Sequence, residues 1–133
     1  MTTPVGPYTP IVRAGEWLVV SGQVGIRDGA LVEGGTGAEL AQALENLAEL
    51  LASEGAALSD VVKTTVFLTD LADYGTMNEV YVAAFGDHRP ARSAVGVAAL
   101  PLGAHVEIEA WARRASSDGG SAAQAPQRVS PKR

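Results

Sequence analysis

The sequence contains no cysteine among its 133 residues. This absence excludes disulfide bonds and cysteine-ligated zinc sites, and a domain of this length buries enough surface to fold without such crosslinks. Histidine is scarce as well, because His88 and His105 are the only two and neither has a second metal ligand at zinc-site spacing. We therefore expect no metal centre, and we expect both histidines to face solvent or to form loose hydrogen bonds.

Long apolar runs and an excess of basic charge are also missing. No stretch approaches the roughly 18 apolar residues of a membrane span, and the N-terminal residues lack the basic and apolar regions of a signal peptide. The formal net charge of −5 argues against nucleic acid or an anionic membrane surface as the main partner. We expect a cytoplasmic protein, since a cysteine-free composition fits a reducing compartment.

The composition changes abruptly after Arg114. From Ala115 to Arg133 the residues are mainly Ser, Gly, Ala, Gln and Pro, and Val129 is the only large apolar side chain. Such a segment cannot bury enough surface to offset the entropy lost on ordering. We predict a single folded domain over residues 1–114 and a disordered polar tail over 115–133.

The first predicted helix begins at a capping box, in which Thr36 and Glu39 would satisfy each other's free amide donors. Leucines then recur at spacings of four, three and four, which places them on one helical face. These leucines are Leu40, Leu44, Leu47 and Leu51. Gly55 is expected to end the helix, because glycine readily adopts the left-handed conformation found there.

A second helix is predicted from about Asp73 to Phe85. Asp70 and Asp73 are expected to bound and cap it. Its common face carries Tyr74, Met77, Tyr81 and Phe85.

The strand candidates are shorter. Residues 16–21 lead to a turn at Asp28-Gly29 and then to Leu31-Val32, which favours a hairpin. Further strands are predicted at 63–68, 92–97 and 105–113. Strands interleaved with two helices favour an α+β fold, with the helices on one face of a mixed sheet.

Alternation along the last two strands predicts how their side chains divide between the faces. One face of the final strand is apolar, whereas the other carries His105, Glu107, Glu109, Trp111 and Arg113. In the preceding strand Arg92, Ala94 and Gly96 share a face. If the apolar faces pack under the helices, we expect Arg92 on the second face with the glutamates. That face would be an interface or pocket lining or, equally, a hydrated sheet face.

Other motifs indicate structure more than chemistry. Gly34-Gly35-Thr36-Gly37 matches no phosphate-binding pattern and is expected to be a turn. Ser21 does not lie in a nucleophile elbow. Taken singly, Arg92, Tyr8 and Asn78 are most simply surface or packing residues.

Several blocks occur together, however, in an order that resembles the Rid (YjgF) family of reactive-intermediate deaminases. The C-terminal blocks are Pro90-Ala91-Arg92-Ser93, Leu100-Pro101 and Val106-Glu107-Ile108-Glu109-Ala110, and the upstream blocks are Gly6-Pro7-Tyr8, Val20-Ser21-Gly22-Gln23, residues 60–68 and residues 77–81. They extend from about residue 5 to 114, so the resemblance covers nearly the whole predicted domain.

This resemblance implies a chorismate-mutase-like α+β fold, assembled as a homotrimer with sites in clefts between subunits. It implies hydrolysis of 2-imino and 2-enamino acids to 2-oxo acids and ammonia, with no cofactor. Arg92 would bind the substrate carboxylate, and Glu107 would act on the water or proton near the imine. Tyr8, Ser21, Gly22 and Asn78 would line the cleft.

The sequence departs from the family pattern at two positions. Ala94, also expected in the substrate pocket, stands where many members carry cysteine, and Gly96 stands where a larger residue is common. Both changes predict a wider pocket. A non-catalytic trimer that binds a carboxylate ligand or a protein is the alternative, and the acidic balance argues against ribonuclease activity.

Overall fold

The computed structural model describes residues 6–115, in which helices pack against a five-stranded sheet. The strands are β1 (Ile11–Ala14), β2 (Trp17–Gln23), β3 (Ile26–Arg27), β4 (Ala30–Leu31), β5 (Val61–Leu68), β6 (Ala91–Gly96) and β7 (Val106–Arg113), and the helices are α1 (Gly35–Ala52) and α2 (Tyr74–Phe85). Short 3-10 helices lie at Leu58–Asp60, Leu71–Asp73 and Pro101–Gly103. The predicted polar tail lies, beyond Ala115, outside the described residues.

The large sheet has the strand order β1-β2-β7-β5-β6. It is mixed, because β5 pairs with β6 in parallel whereas β1–β2, β2–β7 and β5–β7 are antiparallel. α2 connects the two parallel strands, as a crossover helix does. Both helices contribute to one buried cluster on a single face of the sheet. The predicted α+β class, with two helices on one face of a mixed sheet, is confirmed.

Period-two alternation determines which strand residues enter that core. The residues buried beneath the helices include Leu18, Val20, Val66, Leu68, Val106, Ile108, Ala110 and Ala112. The apolar face predicted for β7 is therefore confirmed. The opposite face, which we call the open face, is not covered by any helix of the described residues and carries Glu107, Glu109 and Trp111.

α1 forms where the leucine spacing predicts it, and all four leucines are buried. The predicted capping box is wrong. Gly34 occupies the N-cap in the left-handed region, and the Thr36 hydroxyl donates to Asp73 Oδ2 at 2.7 Å. Glu39 is only 1% exposed and accepts from the backbone N–H of His105 and contacts its Nδ1, at 2.7 and 2.6 Å. Tertiary partners therefore replace the local ones.

α2 begins and ends close to its predicted bounds and buries Met77, Tyr81 and Phe85. Asp70 does accept a hydrogen bond as a cap, from the N–H of Ala72 at 2.9 Å, but it caps the short helix before α2. Asp73 makes no side-chain cap, because its carboxylate bonds the start of α1 instead.

The predicted hairpin forms in part. Asp28 and Gly29 have positive φ angles of 54° and 82°, but their turn joins β3 to β4 in a separate two-stranded sheet. β2 pairs with β7 and with β1, a strand that the sequence analysis did not predict. The prediction of a β2 partner around Leu31 is wrong, because β1, which directly precedes β2, and the sequence-distant β7 provide longer ladders.

Candidate functional site

The open face carries a β-bulge at the motif that contains Ser21 and Gly22. Val20 pairs with Ala110 and Gln23 pairs with Ile108, so two residues of β2 lie opposite the single residue Glu109. A bulge of this kind bends its strand and redirects side chains. It brings the backbone of β2 close to the side chain of the next open-face residue on β7, Glu107.

Gly22 and Glu107 are in direct contact. A Cβ atom built on Gly22 would lie 2.0 Å from Glu107 Oε2, so no other residue type fits there without moving the carboxyl group. The carboxyl is half-buried. Burial raises its pKa, and the nearby negative charge of Glu109 raises it further. Glu107 therefore keeps its proton to a higher pH than an ordinary glutamate.

Ser21 hydrogen-bonds residues 9 and 10, which precede β1, to the bulge. Its backbone N–H donates to the carbonyl of Pro10 at 2.9 Å, and its hydroxyl donates to the carbonyl of Thr9 at 2.8 Å. These bonds fix the segment that directly follows Tyr8, whose side chain is exposed. Ser21 thus connects Tyr8 to the strand that carries Gly22.

Arg92 belongs to a second group of residues, beside α2. Its Nη2 donates to the Tyr74 hydroxyl at 3.0 Å. Its guanidinium carbon lies 4.9 Å from the ring centroid of Tyr81 and 5.5 Å from that of Tyr74, which is within cation–π range. The Tyr81 hydroxyl is 2.7 Å from the buried hydroxyl of Thr64. Burial raises the pKa of Tyr81, which keeps this phenol neutral beside the cation.

Two further predicted residues accompany Arg92. Asn78 is half-buried and follows Tyr74 by one helical turn, on the same side of α2. Ala94 shares the face of β6 with Arg92 and packs, partly buried, against the core.

The expectation that Arg92 shares the open face with Glu107 is wrong. Arg92 is in register with Thr64, which is buried under the helices, whereas Glu107 is in register with Phe67 on the other face of β5. The Cα atoms of Arg92 and Glu107 are three residues apart along the strand direction and two strands apart across the sheet, which is about 10 Å in each direction. Within one chain these two side chains therefore lie on opposite faces of the sheet. Arg92 is nevertheless near solvent, since β6 is an edge strand.

The predicted site residues thus fall into two clusters. In the glutamate cluster Gly22 contacts Glu107, and Ser21 holds the segment that follows Tyr8. In the arginine cluster Arg92 contacts Tyr74 and Tyr81, while Ala94 lies on the same strand face as Arg92 and Asn78 lies one turn after Tyr74 on α2. Sequence reasoning missed the role of both tyrosines beside Arg92, because their spacing indicated only a packed helix face. Their contact with Arg92 could have been predicted only by knowing which residues of β6 face α2.

Gly96 does not widen a pocket. A Cβ atom built at this position would lie 3.1 Å from Cγ of Leu71, whose side chain already covers the glycine. The space that the missing side chain leaves is therefore filled from within the chain. The expectation of a wider pocket stays a prediction for Ala94 alone.

Within residues 6–115 there is no group of three or more histidine, cysteine or acidic side chains that could hold a metal ion. No helix in this part of the chain is long and apolar enough to cross a membrane. His105 is exposed, as expected, although its Nδ1 also lies 2.6 Å from Glu39, whereas His88 is half-buried and its Nε2 lies 2.7 Å from the Val61 carbonyl oxygen.

Comparison with known proteins identifies the family of the chain. The family described as Endoribonuclease L-PSP matches residues 1–114. The 2-iminobutanoate/2-iminopropanoate deaminase of Mus musculus is 49% identical over 110 residues, which cover 81% of this chain and 82% of the relative. The protein of the same name from Homo sapiens is 46% identical, with 81% and 80% covered.

Solved structures agree with this relationship. RidA from the Antarctic bacterium Psychrobacter sp. PAMC 21119 matches with a TM-score of 0.81 and 42% identity, over 84% of this chain and 91% of that one. E. coli TdcF, solved with bound serine, matches with a TM-score of 0.80 and 37% identity, over 84% and 91% of the two chains.

Proposed function

The chain belongs to the Endoribonuclease L-PSP family, which includes Rid deaminases, and on this basis we propose that it hydrolyses 2-imino and 2-enamino acids to 2-oxo acids and ammonia. It is an enzyme similar to the 2-iminobutanoate/2-iminopropanoate deaminases, to which it is 46–49% identical. The main support from this chain is that the predicted site residues include a guanidinium held in place, that of Arg92, and a carboxyl whose pKa is raised, that of Glu107.

Arg92 suits the carboxylate of such a substrate. A guanidinium offers two parallel charge-assisted hydrogen bonds to a carboxylate, and its planar shape fixes the orientation of the bound acid. Tyr74 and Tyr81 hold the group at the sheet edge, where a ligand can reach it. The related TdcF was solved with serine, which also bears a carboxylate.

Glu107 suits the proton transfers of hydrolysis. Water adds to the imine carbon, the nitrogen gains a proton, and the resulting carbinolamine expels ammonia as its hydroxyl loses a proton. A carboxyl whose pKa is raised above its ordinary value is a better proton acceptor than an ordinary carboxylate and can return the proton within the same turnover. Glu107 takes the proton from water and returns it to the nitrogen, so that the protein is unchanged after each turnover.

Both groups must come from different subunits to act on one small substrate. They lie on opposite faces within a chain, while Arg92 is at the sheet edge and Glu107 is on the open face. In the proposed homotrimer, the β6 edge of one subunit lies against the open face of the next. Trp17 and Trp111 are 40% and 46% exposed on that face and supply apolar surface for the contact.

A non-catalytic carboxylate-binding trimer has no use for Glu107. Binding RNA is supported still less, because the net charge of the chain is −5 and three of its arginines are ion-paired: Arg13 with Glu54, Arg113 with Glu16 and Arg114 with Asp60. An amino-acid oxidase that generates the imine in situ provides the test, with a nucleophilic trap added to consume unreacted imine. We expect the protein to divert imine from the trap to the 2-oxo acid. Binding of a 2-oxo acid without any such diversion would support the carboxylate-binding alternative and refute the proposal.

A further inference from the structure

The contacts of Arg92 limit how its guanidinium can receive a ligand. An arginine side chain has two edges that offer paired N–H donors, one formed by Nε and Nη2 and the other by Nη1 and Nη2. Nη2 therefore takes part in both edges. In this chain Nη2 already donates one proton to the Tyr74 hydroxyl, at 3.0 Å. One paired edge is thereby occupied in part, and only the other remains complete.

The plane of the guanidinium is also restrained. Tyr81 lies against it at 4.9 Å and is itself held by a 2.7 Å hydrogen bond to Thr64, which is fully buried on β5. Tyr81 is 3% exposed, so its ring is part of the core and cannot move freely. The Tyr81 ring restrains the orientation of the guanidinium plane, and the hydrogen bond to the Tyr74 hydroxyl restrains rotation of the guanidinium within that plane.

Tyr74 differs from Tyr81 in being 45% exposed. Its ring therefore contributes little core packing, and its hydroxyl is positioned in the first turn of α2, beside the sheet edge where Arg92 lies. A phenylalanine would preserve the ring contact with Arg92. Only the hydroxyl can select an edge of the guanidinium.

We propose that Tyr74 is a positioning residue, whose hydroxyl bond to Nη2 directs the complete edge of Arg92 toward the substrate carboxylate. This inference rests on the proposed function, since it assigns Arg92 to the carboxylate of a 2-imino acid. Without the bond the guanidinium rotates about its side chain, and a substrate must immobilise it before both hydrogen bonds form. The loss is one of binding, because the proton transfers occur at Glu107.

The test is the substitution Tyr74→Phe in the full chain. We expect KM for an oxidase-generated 2-imino acid to rise about 3- to 10-fold, with kcat changed by less than about twofold. Affinity for 2-oxobutanoate, measured by titration calorimetry, should fall by the same factor. Val82→Ala, which trims another exposed side chain of α2, is the matched control and should change neither quantity.

A double-mutant cycle separates positioning from a general structural effect. If Tyr74 acts through Arg92, adding Tyr74→Phe to Arg92→Lys should cost little more, because an ammonium has no paired edge to orient. Independent, multiplicative losses would overturn the inference, as would a fall in kcat at constant KM.

The two proposals fail in distinguishable ways. If the unmodified protein does not deaminate imines, the proposed function is wrong, and calorimetry with 2-oxobutanoate still tests Tyr74. If the unmodified protein deaminates imines and Tyr74→Phe matches it in KM and affinity, only the inference about Tyr74 is wrong.

Discussion

Arg92 and Glu107 differ in what surrounds them, and this difference predicts different kinetic roles. The guanidinium lies between aromatic rings that hold it in place without neutralising its charge. The carboxyl lies against the backbone of Gly22, beside another acid, and burial favours its protonated form. The first arrangement suits binding of an anion, and the second suits exchange of a proton.

Replacement of Arg92 is expected to affect mainly KM. In the proposed mechanism Arg92→Ala removes a charge-assisted contact made in both the ground state and the transition state, so we expect kcat/KM to fall at least about 10-fold and up to more than 100-fold. Arg92→Lys should recover only part of the loss, because an ammonium lacks the planar pair of donors. Steady-state kinetics over a range of imine concentrations measure both. Equal kinetics for the alanine variant and the wild type would contradict the assignment.

Glu107→Gln is expected to lower kcat by roughly 10²- to 10⁴-fold while substrate binding is nearly retained.

The same Glu107→Gln substitution should not destabilise the protein at neutral pH. Because folding raises the pKa of Glu107, the folded chain binds its proton more tightly than the unfolded chain, and this contribution to stability is lost as pH rises through the folded pKa. Glutamine stays neutral, so the variant should melt at an equal or higher temperature above that pH. A large fall in Tm at neutral pH would contradict this account.

At the scale of elements, the edge strand β6 and the bulge in β2 position the two clusters. β6 has a neighbour on one side only, which leaves Arg92 and Ala94 near the boundary of the sheet. The bulge lies at Ser21 and Gly22 and brings the backbone of Gly22 against the carboxyl of Glu107. Both features depend on how the strands pair, and the contact at the bulge also requires glycine at position 22, where a Cβ atom would clash with the carboxyl.

Ala94→Leu is expected to penalise bulky imino acids more than small ones. Ala94 shares a face with Arg92 and is only partly buried, so we expect added methylenes to enter the proposed substrate pocket. Overfilling such a space costs about 1–3 kcal/mol. The measurement is kcat/KM across imines derived from amino acids of increasing size. Gly96→Ala is the control, because its new methyl group meets Leu71, and size selectivity should stay unchanged. Equal losses across the series for Ala94→Leu would mean that the side chain does not face the ligand.

For the whole molecule, the open face predicts assembly. Trp17 and Trp111 stack edge to face, with ring centroids 6.2 Å apart, on a surface that no described helix covers. Exposed aromatic pairs of this kind often dominate binding at interfaces. Sedimentation at micromolar concentration should report three times 13.7 kDa. Trp111→Ala should shift the protein toward smaller species, whereas Val82→Ala on the helical side should not. A stable monomer with full deaminase activity would refute the trimer.

Mixing the two impaired variants, assayed at an imine concentration well below the KM of Arg92→Ala, tests whether each site is shared. Subunits with Arg92→Ala retain Glu107, and subunits with Glu107→Gln retain Arg92, so co-expression creates some complete sites if the residues come from neighbouring chains. Random assembly at equal amounts should restore about a quarter of the wild-type activity, because each site needs one particular arrangement of two subunits. Absence of any recovery in trimers shown to be mixed would mean that one chain supplies both groups.

The sequence by itself determined most of the local structure. Leucine spacing identified α1, and alternation identified the buried face of β7, because both patterns reflect how often a side chain returns to the same face. Ordered motif blocks named Arg92 and Glu107, together with the family to which the chain belongs. The absence of cysteine excluded disulfides and cysteine-ligated zinc without reference to a fold.

The tertiary structure decided how these residues are arranged. Alternation divides a strand into two faces but does not say which face a helix covers, so Arg92 was assigned to the wrong one. Thr36 and Glu39 match a capping box, yet Asp73 and His105 are closer partners after folding. Tyr74 became a partner of Arg92 only because a parallel crossover brings α2 beside the edge strand. Each outcome depends on contacts between residues far apart in the chain, which local patterns do not encode.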